Sequence, residues 1–450
     1  MLESNVNVQD FKSIKWNGKE LQKIMELKNN NNLSISQKTI LSSIDMLQKE
    51  QIAKIRQQIL QIQKNDSFDT PFSKPIKNAI SYILLKPVSD GCNLHCTYCY
   101  EGPVGVRQPL SRMSKESLER IIDEACNQGA NRIGFSFHGG EPLLAGLDFF
   151  IHAMNIQEKY KPKGIVIENT VQTNGTLIDD SWIEFFEQHN FTVGISFDGI
   201  KSIHDKHRIF GNKKGSYDKV LNAIKKIQKT KIPLGIISVI TNEHAGYAKE
   251  HFDTFSGLNF LDFAVTPSFG LVGDTDVGSV DSGIFSEYVI ELFEVWINSG
   301  RGDIKIRIIQ DAIKGFLGEN LTICSLAGTC SKIIAIEPNG DVKSCTRSCG
   351  DAEKVFGNIE SNTLKDIVGG NVYENFIKNE IAGQMTAKHC QWFEICHNGC
   401  SANRTKNNRV DIAGTGRFCD CDALPGHEKG YAGIYRHIRN RIYEILELTA

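Results

Sequence analysis

Three cysteines, Cys92, Cys96 and Cys99, stand at the spacing C-x3-C-x2-C in a loop that begins at Gly91. Thiolates are soft ligands that suit iron–sulfur clusters and zinc. A structural zinc site takes four ligands, usually as two separated pairs. A tight group of three thiols therefore favours a four-iron cluster with one open iron, which can bind a small molecule directly. A zinc knuckle or a partial ferredoxin motif is the alternative.

Nine more cysteines lie close to one another in the C-terminal part of the chain. Two sites of four thiolate ligands would use eight of the nine. The clustering indicates two separate metal-bearing regions, one in each half of the chain. The nine are Cys324, Cys330, Cys345, Cys349, Cys390, Cys396, Cys400, Cys419 and Cys421.

The composition is that of an ordinary globular protein of 450 residues with a formal net charge of −2. A near-neutral balance does not favour a nucleic-acid partner or an anionic membrane. No apolar run approaches the ~20 residues that span a bilayer. The N-terminal segment lacks the basic and apolar regions of a signal peptide. We therefore expect a cytoplasmic protein with no nucleic-acid and no membrane partner, in which the clustered cysteines are metal ligands rather than disulfides and the isolated Cys126 is a buried small apolar residue.

Apolar runs and amphipathic stretches alternate through the middle of the chain. Repeated strand-then-helix units predict parallel strands with helices outside them, and functional loops at the C-terminal ends of the strands. Six units fall short of the eight of a full TIM barrel, so we expect an α/β fold with an open (β/α)6 partial barrel. Its open side can admit a substrate as large as a peptide. The predicted strands are 80–88, 132–138, 164–171, 192–197, 232–240 and 260–266.

The regions outside the barrel define the expected domains: an N-terminal helical extension (1–78), the barrel (79–310), a cysteine-rich domain (311–425) and a C-terminal helix (426–450). Ser34 and Gln37 form a capping box that predicts the start of a long helix. Its apolar stripe, which begins at Ile40, Ile44 and Leu47, packs on the main body or serves as a docking element for a peptide. Residues 66–75 are a predicted linker, and residues 270–283 are a lid or a linker.

The three-cysteine motif resembles the signature of the radical S-adenosylmethionine (SAM) enzymes. In that family SAM chelates the open iron through its amino and carboxylate groups. The resemblance implies that Tyr98 lies near the adenine and that the GGE segment receives the SAM amino group. It also implies SAM-binding positions in the strand-end motifs TNG, SFDG and HDKHR. The expected SAM-binding residues are Tyr98, Gly139, Gly140, Glu141, Asn174, Ser196, Asp198 and Arg208.

The C-terminal cysteines resemble the SPASM extension of radical SAM enzymes, which carries two auxiliary four-iron clusters. Carried over by position, the nearer auxiliary cluster has the ligands Cys324, Cys330, Cys345 and Cys400. The outer cluster has Cys390, Cys396 and Cys419. The family places a further cysteine where this chain has Ala387, so Cys421 is our choice for the fourth ligand, with His389, Cys349 or an open iron as alternatives. Two zinc sites would use the same thiolates.

The resemblance implies three [4Fe-4S] clusters, SAM, and a radical that removes a hydrogen atom from an unactivated C–H bond. Our leading hypothesis is an oxidoreductase that matures a ribosomally made precursor peptide by installing a thioether or carbon–carbon cross-link. Its partners would be that peptide and a flavodoxin or ferredoxin-type reductant. No catalytic acid or base is assigned.

Two alternatives to the cross-linking hypothesis remain. One is an enzyme of the anaerobic sulfatase-maturating type, which oxidises a cysteine or serine to formylglycine. Those enzymes share the TNGTLI and SFDG motifs with this chain, but they characteristically have an aspartate where this chain has Thr346. The other alternative is a non-catalytic iron–sulfur electron carrier.

Overall fold

The computed structural model describes residues 15–30, 32–65, 80–101, 110–269, 279–348, 355–400 and 430–448. The predicted linker 66–75 lies outside these residues, as do most of the predicted lid 270–283 and the cysteines Cys349, Cys419 and Cys421.

One ten-stranded sheet forms the centre of the described molecule, in the order β10-β9-β8-β1-β2-β3-β4-β5-β6-β7. Neighbouring strands from β1 to β7 are all parallel, as the strand–helix alternation predicts. The strands are β1 Tyr82–Leu85, β2 Arg132–Phe137, β3 Val166–Thr173, β4 Thr192–Ser196, β5 Leu234–Ile240, β6 Asp262–Pro267, β7 Lys305–Ile306, β8 Ile333–Ile336, β9 Asp341–Lys343 and β10 Val355–Asn358.

The six predicted strands correspond to β1–β6, and the predicted α/β partial barrel is confirmed. The strand β8 was not foreseen in its position: it pairs in parallel with β1, from Tyr82 opposite Ile333 to Leu85 opposite Ile336. Strands β9 and β10 then continue the sheet in antiparallel fashion. The cysteine-rich domain therefore shares a sheet with the barrel and extends it beyond β1.

Helices pack around the sheet and on one another, and their apolar side chains contribute to the common core. In α3 the side chain of Ser114 accepts a hydrogen bond from the Ser117 N–H and caps the helix, as the sequence predicts. The apolar side chains Leu118, Ile121 and Ile122 of this helix are buried. The longer helices are α1 Gly18–Lys28, α2 Ile35–Asn65, α3 Lys115–Asn127, α4 Leu147–Glu158, α5 Asp180–Gln188, α6 Lys201–His207, α7 Tyr217–Ile227, α8 Ala248–Gly257, α9 Ser282–Ile297, α10 Arg307–Leu317, α13 Asn371–Met385 and the C-terminal helix Gly430–Leu446. Three short helices are α11 Cys324–Ala327, α12 Leu364–Val368 and α14 Phe393–Cys396.

The N-terminal extension packs on the main body through α2. The predicted capping box is present, because the Ser34 N–H donates to Gln37 Oε1 (2.9 Å) and the Gln37 N–H donates to Ser34 Oγ (3.2 Å). Ile40, Ile44 and Leu47 are buried in the common core, where α2 meets α9, α10 and the C-terminal helix. A role of this extension in docking a peptide stays a prediction.

Among the residues that the structure describes, none of the helices combines the length and the apolar character that crossing a membrane requires.

Candidate functional site

Residues 91–101, here called the cysteine loop, follow the C-terminal end of β1 and gather the three predicted cluster ligands. None of Cys92, Cys96 and Cys99 forms a disulfide. The pKa of Cys96 is raised to about 12, mainly by burial and in part by the neighbouring thiols of Cys99 and Cys92, against the lowering effect of the Arg208 charge. Three thiols that are this close and poorly solvated become thiolates only with a cationic partner, so the donor set fits an iron–sulfur cluster.

The GGE segment after β2 holds the cysteine loop through its backbone. The Glu141 N–H donates to the Gly91 carbonyl oxygen (2.7 Å), and the Gly140 N–H donates to that of Ser89 (3.0 Å). A Cβ atom on Gly140 would lie 2.0 Å from the Gly91 oxygen. Only glycine permits this approach of the two backbones, which is the physical reason for the residue type at this position.

The Glu141 side chain is fully buried and ties the ends of β2 and β3 together. Its carboxylate accepts from Thr173 Oγ1 (2.7 Å), the Asn174 N–H (2.8 Å) and the Leu143 N–H (3.1 Å). Burial raises its pKa to about 7, against these three hydrogen bonds, which lower it. A carboxylate has about four lone-pair sites, so one acceptor position is left. Reception of the SAM amino group by this segment stays a prediction.

Asn174, in the turn after β3, faces the cysteine loop. Its Nδ2 donates to Asn93 Oδ1 (2.8 Å) and lies 3.6 Å from Cys92 Sγ. Its Oδ1 accepts from the Thr176 N–H (2.9 Å). The TNG turn therefore sits beside the first cluster ligand, on the same side of the sheet as the GGE segment.

Three residues that the sequence analysis treats separately, Tyr98, Asp198 and Arg208, form one buried unit. Arg208 donates to Asp198 through Nε (2.9 Å) and Nη2 (3.2 Å). The hydroxyl of Tyr98 and the Val239 N–H (3.0 Å) also donate to this carboxylate. Burial alone would raise the pKa of Asp198, but the Arg208 guanidinium holds it well below its usual range. Arg208, one of the expected SAM-binding residues, therefore has at most its remaining N–H donors to offer a ligand.

Ser196, the last of the expected SAM contacts, ends β4. Its hydroxyl accepts a hydrogen bond from Gln172 Nε2 of β3 (3.1 Å). The pair lies between adjacent strands that lead to Asn174 and Asp198, so Ser196 is at the same end of the sheet as the other expected contacts.

Lys86, which the sequence analysis did not single out, is a fully buried cation at the end of β1. Its Nζ lies 2.6 Å from Asp90 Oδ1, 3.2 Å from Glu101 Oε1 and 3.4 Å from Glu337 Oε1. Burial raises the pKa of Glu101 to about 8, against the lowering effect of Lys86. This centre joins Asp90, just before the cysteine loop, and Glu101, at the end of the loop, to Glu337, just after β8. A single lysine inside the apolar run ISYILLKPV was the signal that could have revealed it.

The structure brings together the four cysteines expected around the nearer auxiliary cluster, here called the auxiliary thiol site. Burial raises the pKa of Cys330 to about 12, with further contributions from Glu380 and from the thiols of Cys400, Cys324 and Cys345. Cys324 is the most exposed of the four. Four neighbouring cysteine thiols that form no disulfide are a donor set that an iron–sulfur cluster uses.

The expected outer cluster is described only in part. Cys390 and Cys396 are buried, and so is Ala387, where the family has a cysteine. Cys419 and Cys421 lie outside the described residues. The ligands of this cluster, including the alternatives His389 and Cys349, stay a prediction.

Two family models match the chain in the regions that hold these two thiol sites. The Radical SAM superfamily matches residues 87–255. The iron–sulfur cluster-binding SPASM domain matches residues 324–401. The matched residues include the cysteine loop and all four cysteines of the auxiliary thiol site.

Similar proteins include anaerobic sulfatase-maturating enzymes. A cysteine-type enzyme of Clostridium novyi (strain NT) is 33% identical, over 72% of this chain and 89% of that protein. A serine-type enzyme of Bacteroides thetaiotaomicron is 30% identical, over 82% of this chain and 90% of that protein.

Solved structures of related enzymes have the same fold as this chain. Native anSMEcpe with bound AdoMet and Cp18Cys peptide superposes with a TM-score of 0.70 at 28% identity, over 81% of this chain and 98% of that chain. Streptococcus suis SuiB shares the fold, with a TM-score of 0.54 at 18% identity over 85% of this chain and 83% of that chain.

Radical SAM and SPASM domains indicate a SAM-binding [4Fe-4S] cluster, auxiliary clusters and SAM itself as cofactors, which confirms the expected cofactor classes. The thiol donors of the cysteine loop and of the auxiliary thiol site are chemically suited to such clusters. The chain therefore belongs to the radical SAM superfamily, as a member that carries a C-terminal SPASM domain.

Proposed function

We propose that this enzyme removes a hydrogen atom from a side chain of a peptide or protein and so begins its oxidative modification. The observation that carries the proposal is the placement of two thiol sites along one sheet. The cysteine loop follows β1, and the neighbouring β8 leads through β9 into Cys345 of the auxiliary thiol site. Lys86 contacts Glu101 of the loop and Glu337 after β8, which supports a fixed distance between the two sites.

The chain's own residues position the reactants in this proposal. When bound, the cluster of the cysteine loop and SAM supply a radical able to attack an unactivated C–H bond. Glu141 and Asn174 fix the loops on which SAM would lie. Asp198 and Arg208 fix Tyr98, at the proposed adenine position, through buried hydrogen bonds. Such preorganisation keeps the reacting atoms close without further reorganisation.

The leading candidate for the modification is a cross-link, thioether or carbon–carbon, in a ribosomally made precursor peptide. The substrate would lose one hydrogen atom to the SAM-derived radical, then one proton and one electron when the bond closes, with an auxiliary cluster as the electron acceptor. The supporting observation is Thr346, which follows Cys345 and is buried. Its hydroxyl is hydrogen-bonded to the phenol of Tyr100. Formylglycine-forming enzymes characteristically have a carboxylate at this position as the base.

Formylglycine formation is the second candidate, and the comparisons favour it. The chain covers about nine-tenths of the length of cysteine-type and serine-type sulfatase-maturating enzymes at 33% and 30% identity. In this case the same hydrogen abstraction on a cysteine, followed by loss of one proton and of one electron to an auxiliary cluster, would give a thioaldehyde. Water would then hydrolyse it to the aldehyde with release of hydrogen sulfide. Another residue would have to serve as the base in place of Thr346.

The test uses anaerobically reconstituted enzyme with SAM, a flavodoxin or ferredoxin-type reductant and the precursor peptide encoded beside its gene. A cross-link predicts a peptide that is lighter by two hydrogens and that does not react with a hydrazide; a thioether cross-link also removes one free thiol without loss of sulfur. Formylglycine from cysteine predicts an aldehyde that the hydrazide traps. The matched control is the Cys96→Ala variant. An unchanged mass of the precursor peptide while SAM is cleaved would contradict the cross-link candidate, and an unchanged mass of a cysteine-containing sulfatase peptide would contradict formylglycine formation. No cleavage of SAM in the fully reduced enzyme would favour the electron carrier.

A further inference from the structure

Arg347, the second residue after Cys345, makes three contacts around the auxiliary thiol site. Its backbone N–H donates to Cys345 Sγ (3.4 Å), and its Nη1 donates to Cys400 Sγ (3.2 Å). Its guanidinium carbon lies 3.6 Å from the centre of the Phe269 ring. One arginine therefore connects two of the four proposed ligand sulfurs with Phe269, which lies two residues beyond the end of β6.

The chemistry of these contacts acts on the charge of a cluster. The reduction potential of an iron–sulfur cluster depends on its net charge, on hydrogen bonds to its sulfurs and on its exposure. Reduction adds negative charge, and a guanidinium that stays protonated and donates to a ligand sulfur stabilises the reduced form. Arginine is suited to this task because its planar fork can stack on an aromatic ring while it donates hydrogen bonds.

Phe269 fixes the direction of the guanidinium. An arginine side chain has several rotatable bonds, and a guanidinium that populated many rotamers would donate a hydrogen bond to any one sulfur only part of the time. The stacking distance to Phe269 is well inside the range of a cation–π contact. Because Phe269 belongs to the barrel, the donor geometry at Cys400 depends on how the barrel and the cysteine-rich domain pack together.

We propose that Arg347 is a positioning residue that raises the reduction potential of the cluster held by the auxiliary thiol site, and that Phe269 keeps its guanidinium aimed at Cys400. The proposal rests on the ligand assignment in the proposed function. It gives this cluster the property that an acceptor of the substrate's electron needs, since a higher potential favours uptake of that electron.

The experiment is an EPR-monitored redox titration of the full-length chain in which all three cysteines of the cysteine loop are alanine. Only auxiliary clusters then contribute to the signal. In Arg347→Gln we expect the midpoint of one cluster to fall, so that the ratio of reduced to oxidised cluster at the parent midpoint drops about tenfold, equivalent to about 59 mV for one electron. Arg347→Lys, which keeps the charge, and Phe269→Leu, which releases the side chain, should give smaller shifts in the same direction.

Arg307→Gln is the matched control, because Arg307 pairs with Asp262 at the other end of β6 (2.8 Å) and lies outside the thiol site. Equal midpoints in Arg347→Gln and the parent, or equal shifts in Arg347→Gln and Arg307→Gln, would overturn the proposal. If Arg347→Gln binds less iron, the lysine and leucine variants decide, and parent-like midpoints in both overturn it. Cys345→Ala tests the ligand assignment separately from the redox proposal. If this variant keeps its full iron content, the ligand assignment itself fails.

Discussion

Replacing Asp198 with asparagine should cost more stability than any exposed charge in the barrel. Asp198 is fully buried and Arg208 is 5% exposed. The carboxylate accepts two hydrogen bonds from the guanidinium, at 2.9 and 3.2 Å, as well as those from Tyr98 and the Val239 N–H. Removing one partner of such a pair leaves a buried uncompensated charge, which costs roughly 3–5 kcal/mol. Neutralising both, in Asp198→Asn with Arg208→Met, should cost less than the sum of the two single changes.

The assay for this prediction is calorimetric thermal unfolding. A loss of roughly 3–5 kcal/mol should lower the melting temperature of the barrel by at least about 6 °C, since 1 kcal/mol corresponds to about 2–4 °C in a domain of roughly 150–250 residues. The control is Asp218→Asn, because Asp218 is 81% exposed in its ion pair with Lys201 and such pairs contribute about 0–1 kcal/mol. A melting temperature for Asp198→Asn that equals the control value would refute the reasoning.

The pH dependence of the stability difference between the parent and Asp198→Asn follows from the direction of the pKa shift of Asp198. The folded-state pKa of Asp198 lies below its ordinary value. Its stabilising contribution is therefore complete above the unfolded pKa of about 3.9 and is lost only as the pH falls through the folded pKa. The gap in melting temperature between the parent and Asp198→Asn should stay constant from pH 8 to pH 5. A gap that closes within this range would show that the carboxylate is already protonated there.

Three further substitutions test other parts of the site. Gly140→Ala should displace Gly91 and weaken SAM binding by at least about tenfold in calorimetric titrations, whereas Gly257→Ala, with open space around its Cβ position, should bind normally; equal affinities would contradict the close approach. The raised pKa of Glu141, about 7, means that the folded state keeps a proton that the unfolded state releases, so stability should fall as the pH rises from about 4.5 to 7. Glu141→Gln should flatten this slope of melting temperature against pH, and an unchanged slope would exclude the residue as its source. Lys86→Met leaves three carboxylates without their shared cation and should cost roughly 3–5 kcal/mol in thermal unfolding; a parent-like melting temperature would count against the buried centre.

Local sequence patterns predicted much of the fold correctly. The six apolar runs became β1–β6 in parallel order because the strand–helix alternation leaves few other arrangements. The capping box of Ser34 and Gln37 and the N-cap of Ser114 formed as expected, because both depend only on residues three positions apart. The gathering of the three thiols in the cysteine loop is likewise a local property of their spacing.

What the sequence did not reveal depends on contacts between distant parts of the chain. The pairing of β8 with β1 joins residues about 250 positions apart, as in Tyr82 and Ile333, and no periodicity encodes such a partner. The burial of Lys86 follows from that pairing, because β8 brings Glu337 to its ammonium group. The sequence also did not reveal that Arg208 pairs with Asp198, because the partners of this carboxylate come from three different parts of the fold.

The most direct test of hydrogen abstraction follows a label. The precursor peptide is prepared with deuterium at the carbon to be modified and is incubated with reduced enzyme and SAM. If the SAM-derived radical abstracts this hydrogen, the 5′-deoxyadenosine released from SAM should carry one deuterium. It should form in step with the modified peptide and be absent in Cys96→Ala. Unlabelled 5′-deoxyadenosine beside an unmodified peptide, with every carbon position tested in turn, would contradict the claim that this chain generates a radical to modify a peptide.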